Sequence, residues 1–417
     1  MIRKRIPARV FVAIVLAFPR PGTAETTTAA EGAETNAVPA KVSILPGGIS
    51  LSTPENGSAV PFVPEAVAET RDDAPASGVG EKETHAEWLV APVPSRNPSM
   101  GWTLALPVAR LYRPPGVSAR DPSWVTGIGA FYSENASWGA GAFHKMNLAG
   151  DRWRFMAAAG YADIKYDYFG IGGSENDSGE ALPLNQEVAV VAGEVLRAVA
   201  RNLYVGVRVF AMETNVRATQ DPEEFPPGFI PPELGVDLSL PMIAPRLLHD
   251  TRDSEFYPTS GDLIEAEVQI ASDSFGSDLN YELYELSWNN FRKLGAKGVL
   301  ALRVAGKYAA GDAPFFAYPA FGQSADLRGY TPGTYRDRLL LAVQAEYRLR
   351  VRDKLGIVVF AGVGGVAPSL DEFEDALPSV GVGLRYVLAE ENNDSLRLDA
   401  AWGRDENQFY VGIGEAF

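Results

Sequence analysis

From Arg338 to Val351 apolar and polar residues alternate one by one. Leu339, Leu341, Val343, Ala345, Tyr347, Leu349 and Val351 fall on one side of an extended chain, and Arg338, Leu340, Ala342, Gln344, Glu346, Arg348 and Arg350 on the other. One apolar and one mostly charged face at period two mark a strand lying between hydrocarbon and a wet lumen. The pattern recurs along the chain. Ile264, Ala266, Val268 and Ile270 oppose Glu265, Glu267 and Gln269, while Leu203, Val205, Val207 and Val209 oppose Tyr204, Gly206, Arg208 and Phe210. Leu396, Leu398, Ala400 and Trp402 oppose Arg397 and Asp399. In the last stretch Phe409, Val411, Ile413 and Phe417 share a face, with Glu415 as the exception. A soluble sandwich alternates too, but its polar face rarely continues through strand after strand of this length.

Counting hairpins from both ends predicts an all-β fold: a transmembrane antiparallel β-barrel of about sixteen strands over residues 86–417, an even number as in single-chain bacterial barrels. Closure satisfies every backbone group within a bilayer and leaves no sheet edge. Short turns at Tyr257–Gly261 and Arg352–Gly356 belong to the periplasmic end, and the longer segments 167–183, 217–236, 311–337 and 367–377 to the outer one. The first strand falls near Trp88 to Val93, where Pro92 and Pro94 interrupt the ladder. Residues i and i+2 of a strand direct their N–H groups at the same neighbour, so these prolines remove two successive donors from one edge. Should that edge face Tyr410 to Phe417, the barrel closes on a weak seam.

The N-terminus changes the picture in one respect. Residues 1–24 combine a basic start (Arg3, Lys4, Arg5, Arg9), a short apolar run from Val10 to Phe18, and the small residues Gly22-Thr23-Ala24. That is a cleaved secretory signal peptide, too short to be a spanning helix. Residues 25–85 are rich in Ala, Thr, Pro, Glu and Gly with few aromatics, and read as a disordered acidic linker. A net charge of −16 argues against nucleic acid as a partner. Without cysteine, neither a disulfide framework nor a thiolate site is available.

Candidate chemistry centres on Phe321 to Arg338, FGQSADLRGYTPGTYRDR. The tetrad Leu327-Arg328-Gly329-Tyr330 is followed by a strand holding Glu346 and Arg348, and the sequence ends on Phe417. An L/V-R-G-F/Y loop, an E-x-R strand and a terminal Phe in this order resemble the BamA/TamA superfamily of outer-membrane barrels, also described as the bacterial surface antigen family. The resemblance implies an outer-membrane protein that assists insertion or transport of proteins or lipids, or alternatively a passive porin-like channel narrowed by its loop. It implies as partners outer-membrane lipids and lipopolysaccharide, the barrel-assembly machinery during its own insertion, and a protein or lipid substrate. Phe417 then serves as the C-terminal barrel signal. The compact POTRA units that relatives usually carry have no counterpart in the composition of 25–85.

The same resemblance implies that the loop enters the lumen, where Arg328 pairs with Glu346 on the barrel wall and Tyr330 packs near Phe360. The plain alternative is an exposed arginine beside a tight glycine turn. Relatives usually add an aspartate in an F-x-D-x-G strand. Here Phe360-Ala361-Gly362-Val363-Gly364 puts Gly362 in that place, so the whole ionic load is expected on Glu346.

Catalysis finds little support. The histidines are His85, His144 and His249, and no G-x-S-x-G, H-E-x-x-H or P-loop is present. A lipase-like pairing of His144 with a serine is outweighed by an ordinary strand position. His249-Asp250-Thr251-Arg252-Asp253 resembles the D-x-R-D that precedes a P-x-x-G turn, and lacks a second His at ligand spacing. The expectation is no enzyme, no metal and no cofactor. The glycine pairs Gly127/Gly129, Gly362/Gly364, Gly381/Gly383 and Gly412/Gly414 let strands curve and lumen contents approach the wall. The acidic stretches Asp221-Pro222-Glu223-Glu224 and Asp371-Glu372-Phe373-Glu374-Asp375 are solvated loops, with divalent-ion bridging to lipopolysaccharide the lesser option.

Overall fold

The computed structural model describes residues 87–417 apart from 91, 115–122, 173–180, 223–224, 226–228, 255–256, 323–325, 374–375 and 390–393. The expected signal peptide and linker lie outside the described residues, as do Glu223, Glu224, Glu374 and Asp375. Seventeen strand segments form one antiparallel sheet: β1 Glu87–Val90, β2 Val93–Asn97, β3 Gly101–Tyr112, β4 Trp124–Ser133, β5 Trp138–Leu148 and β6 Trp153–Tyr168, then β7 Leu182–Ala200, β8 Leu203–Ala218, β9 Asp237–Asp250, β10 Gly261–Ala271, β11 Tyr281–Leu294 and β12 Gly298–Gly311, then β13 Leu339–Arg352, β14 Leu355–Ala367, β15 Leu377–Ala389, β16 Asp394–Trp402 and β17 Asn407–Ile413.

β1 and β2 both pair with β3, and the register of one continues that of the other: Val90 faces Val108 and Val93 faces Ala105. They are one strand interrupted at Pro92, so the barrel has sixteen strands. Pro94 stays within the ladder, opposite Leu104. β17 returns to β2, and the sheet is closed.

Side chains sort by the alternation that the sequence carries. In β13, Leu340, Ala342, Gln344, Glu346 and Arg348 are buried inside, while Val343, Leu349 and Val351 are exposed outside. On β8 Val205, Val207 and Val209 face out and Tyr204 and Phe210 face in. Outward rings gather near the strand ends, among them Trp88, Trp102, Tyr132, Trp138, Tyr284, Tyr308, Tyr386 and Trp402. Such girdles mark the two interfaces of a membrane barrel. At the long-loop end the lumen is filled. The 3-10 turn Phe315–Ala317 buries both of its phenylalanines against Tyr168, Leu240 and Tyr281.

The last strand departs from the sequence reading. It stops at Ile413, because Gly414 takes φ +83° and turns the chain off the sheet. Phe417 is therefore not on an outward face shared with Phe409. Its carbonyl accepts from Arg348 Nη2 at 2.8 Å, and its ring lies 5.6 Å from the same guanidinium. Glu415, an exception to the alternation, turns inward to Arg385 at 2.8 Å.

The closure is short. β16 and β17 keep seven register partners from Leu396–Ile413 to Trp402–Asn407, whereas β17 and β2 keep one, Val411 with Arg96. The Arg96 side chain adds a bond across the gap, Nη1 donating to the Phe409 carbonyl at 3.1 Å. Amide exchange at Phe409–Ile413 is expected to run faster than at Val343–Arg348, and Arg96→Ala to widen the difference. Equal protection of the two strands would show that the seam is no weaker than the wall.

The turn between β9 and β10 is held by one carboxylate. Asp253 accepts from the backbone N–H groups of Thr259 and Ser260 at 2.8 and 3.1 Å, and also from the Thr259 hydroxyl. Burial pushes its carboxyl up, but these donors outweigh it and hold the group below the usual range. Asp250 pairs with Arg252 at 2.8 Å, so the motif is a strand end and turn. A depressed carboxyl stabilises the turn above its unfolded pKa and ceases to as pH falls through the folded one. Asp253→Ala is accordingly expected to speed proteolytic nicking near Thr259 at neutral pH and to change little in strong acid.

Candidate functional site

The described residues of the connection between β12 and β13, 312–322 and 326–338, fold into the barrel and not away from it. Leu327, Arg328 and Tyr330 are completely buried. A guanidinium taken out of water needs partners for its donors. Arg328 has three: Nη2 donates to Glu346 at 2.5 Å, Nη1 to Asp399 at 2.6 Å, and Nε to Gln344 at 3.3 Å. Its plane lies 3.4 Å from the Phe360 ring centroid, and Phe360 is the cross-strand partner of Glu346. One arginine thus bonds to β13 and β16 and stacks on β14.

Two sequence expectations change here. Glu346 does not carry the ionic load alone, because Asp399 on β16 shares it. The aspartate missing at position 362 is replaced by one from another strand. A Cβ at Gly362 would meet Leu327 Cδ1 at 2.8 Å, so Leu327 occupies the space a side chain there would need. Tyr330 does not pack on Phe360 either; Arg328 does. The Tyr330 ring meets Tyr335 edge-on at 5.3 Å, its hydroxyl donates to the Pro378 carbonyl, and it accepts from the Arg404 N–H at 3.2 Å.

Gly329 sits between them at φ +107°, a conformation that side chains resist. A Cβ there would also come within 2.9 Å of the Gly403 nitrogen and the Trp402 carbonyl carbon, both backbone atoms that cannot step aside. The Gly329 N–H donates to the Tyr410 hydroxyl at 3.0 Å, and the Ser379 hydroxyl donates to the Arg328 carbonyl. Gly329→Ala is expected to cost about 1–3 kcal/mol and to loosen the loop, read as new protease sites between 312 and 338. An unchanged digestion pattern would mean that the backbone there is free to adjust.

A second clamp holds the loop from β12, the strand next to β13. Asp326 is buried and pairs with Lys307 at 2.8 Å and Arg303 at 2.9 Å, both on β12. Burial alone would push this carboxyl up; the two cations reverse that and hold it well below the ordinary range. Beyond the tetrad, Glu406 accepts from the Thr331 N–H at 2.8 Å and hydroxyl at 2.7 Å. Arg336 Nη1 donates to the Phe315 carbonyl at 2.9 Å, and Gly172 N–H donates to the Arg336 carbonyl at 2.7 Å.

The wall under Arg328 is itself a chain of charges. Arg348 Nε donates to Glu346 at 2.6 Å, and Arg385 bridges Asp399 at 2.6 Å and Glu415 at 2.8 Å. Across the lumen a separate network joins Arg208 and Arg246 to Glu194, Glu265 and Glu267 at 2.7–3.6 Å. The sequence showed Arg348 in its motif but gave no role to Asp399, Arg385 or Glu415. Of these only the inward face of Asp399 was legible; the meeting of the three depends on strand stagger and on the turned-in tail. His144, by contrast, lies on the outer face of β5, its Nδ1 2.8 Å from the Thr126 hydroxyl. Among the described residues no group of three or more His, Asp or Glu could hold a metal ion.

The Omp85 superfamily domain profile matches residues 243–417. In fold, residues of this chain superpose on BamA from Haemophilus ducreyi lacking POTRA domains 1–3, with TM-score 0.58 and 13% identity over 79% of this chain and 70% of that one. CdiB from Acinetobacter baumannii follows at TM-score 0.52 and 12% identity, over 79% of this chain and 65% of that one. CdiB from Escherichia coli gives 0.53 and 8%, over 81% and 63%. This chain therefore spans somewhat under two thirds of the CdiB chains. No curated protein matches the sequence. The Omp85 match covers β10 to β17, the 312–338 loop and every residue that touches Arg328.

Proposed function

We propose that this protein is an integral barrel of the bacterial outer membrane that assists insertion or transport of proteins or lipids at its seam. The reading rests on the one-pair closure between β17 and β2. A strand edge with unpaired backbone groups is a template for another strand, and in a bilayer those groups have no water to turn to. The seam is thus the place where an incoming segment gains most from pairing. The filled lumen supports the same route, since the clamped loop and the buried Phe315 and Phe316 leave little room for a wide central pore. A passive channel is the weaker reading for that reason. The membrane location is supported by the outward apolar faces with their aromatic girdles. Membership of a superfamily alone does not specify a substrate.

Arg96 and Val411 are direct register partners, so Arg96→Cys with Val411→Cys places two thiols across the seam. In liposomes the reduced pair is expected to speed the folding of an unfolded outer-membrane barrel or the exchange of a fluorescent lipid between leaflets, and oxidation to stop it. Full activity in the oxidised form would rule out the seam as the route. In planar bilayers the expected conductance is small and flickering; a steady wide pore would favour the channel instead.

A further inference from the structure

The outer surface of the barrel carries one row of residues that an apolar wall does not explain. Read across neighbouring strands it runs Trp88, Arg110, Thr126, His144, Ala157, Gly193, each the direct register partner of the next. The next outward row toward the long-loop end is Val90, Val108, Ile128, Ala142, Ala159, Val191, wholly apolar. The polarity changes within a single step of the pleat.

Arg110 is exposed, and among the described residues no carboxylate pairs with it. Its guanidinium lies 5.9 Å from the Trp88 ring and 5.2 Å from the Tyr112 ring. Two rings fix its direction without neutralising it. Next to it runs a polar chain: the Tyr112 hydroxyl is 3.3 Å from Thr126 Oγ1, which is 2.8 Å from His144 Nδ1. In the tautomer in which Thr126 donates to Nδ1, the imidazole proton is on Nε2 and can serve as a second donor. Trp124 packs edge-on to His144 at 5.9 Å and spends its own N–H on the Asn147 carbonyl. Past His144 the row drops to Ala157 and Gly193. A Cβ at Gly193 would touch nothing closer than 3.8 Å, so the surface is notched there.

An outward arginine costs about 2–4 kcal/mol at the middle of a bilayer and close to nothing at its edge. This row therefore lies at headgroup depth, where the groups an unpaired guanidinium meets are phosphates. Arg110 and His144 stand two strands apart, roughly 10 Å at the usual strand spacing, a gap that their side chains can close on one phosphate. We propose that the row is a binding site for an anionic glycerophospholipid, its phosphate held by Arg110 and His144 and its adjoining glycerol portion seated in the Ala157–Gly193 notch. The site rests on the reading that the barrel lies in a bilayer, and it neighbours β2, the first-strand side of the seam.

The test uses the full chain in bilayers of equal phosphatidylglycerol and phosphatidylcholine, released for native mass spectrometry. Phosphatidylglycerol is expected to be retained over phosphatidylcholine on the order of tenfold. Arg110→Gln with His144→Gln brings the ratio to parity, while Arg197→Gln, another outward arginine stacked on Trp153 at 5.3 Å, leaves it unchanged. Equal retention of the two lipids by the unaltered chain, or equal loss in the Arg197 variant, overturns the proposal. So does displacement of the retained species by inorganic phosphate, which marks a bare anion site. Arg110→Gln alone, expected to lower the ratio severalfold, decides the matter where the double variant does not fold. Heat-modifiable migration separates the two readings: a chain that never reaches that form refutes the bilayer location, and one that reaches it without lipid preference refutes the site.

Discussion

Arg328→Ala is expected to release the lumen loop and to be the most damaging single exchange in the barrel. Breaking a buried pair costs on the order of 3–5 kcal/mol, because a desolvated charge is left without its partner. The cost here falls toward the lower end, since Glu346 keeps Arg348 and Asp399 keeps Arg385, each at 2.6 Å. Glu346→Ala and Asp399→Ala should each be milder, because Arg328 retains the other carboxylate. Removing both leaves the guanidinium buried with only Gln344, so the double variant should lose more than the two single losses added together. The measurement is the temperature at which the folded band disappears on gels, together with protease access to 312–338. Simple additivity would show that the two carboxylates do not share one cation. Replacing the whole set by apolar residues is a different experiment and is expected to be far gentler, as the gain from a buried pair is largely offset by its desolvation.

Asp326→Ala is expected to come next, at about 3 kcal/mol, because it leaves Lys307 and Arg303 side by side on β12 without the carboxylate they share, Arg303 keeping Asn289 Oδ1 at 3.0 Å. Its pH behaviour distinguishes it from an ordinary surface pair. Asp326 is held well below the usual carboxylate range by Lys307 and Arg303, against the upward push of its burial. The sign follows from the depressed value: its contribution is fully present above the unfolded pKa and is lost only as pH falls through the folded one. Acidification to about pH 4, near the value for a free aspartate, should therefore leave the loop clamped in the unaltered protein. In Asp326→Asn the loop should be loose already at neutral pH. Protease access to residues 312–338, followed from pH 7 downward, reads both. A loop freed near pH 4 in the unaltered chain would mean that water reaches the carboxylate and that the clamp is a solvated pair.

The alternation of residues was enough to determine the barrel. One strand face must meet an apolar medium and the other a polar interior, and a slip of a single residue would exchange the two along the whole of β13. That constraint is local, so it survives in the sequence. The tetrad Leu327-Arg328-Gly329-Tyr330 was legible for a related reason: a charged residue beside an obligatory glycine turn stands out wherever it falls. Tertiary structure decided the rest. Asp399 reaches Arg328 from 71 residues away, and nothing in its strand distinguishes it from any other inward carboxylate. Gly362 reads as a missing aspartate until Leu327 is seen in the space above it. Gly414 reads as one more strand glycine until its φ of +83° turns Glu415 and Phe417 into the lumen. The row from Trp88 to Gly193 exists only across six strands in register, each contributing one residue. A face is a property of one strand and is written in consecutive residues, whereas a site is a property of closure and stagger, which place residues from distant strands side by side.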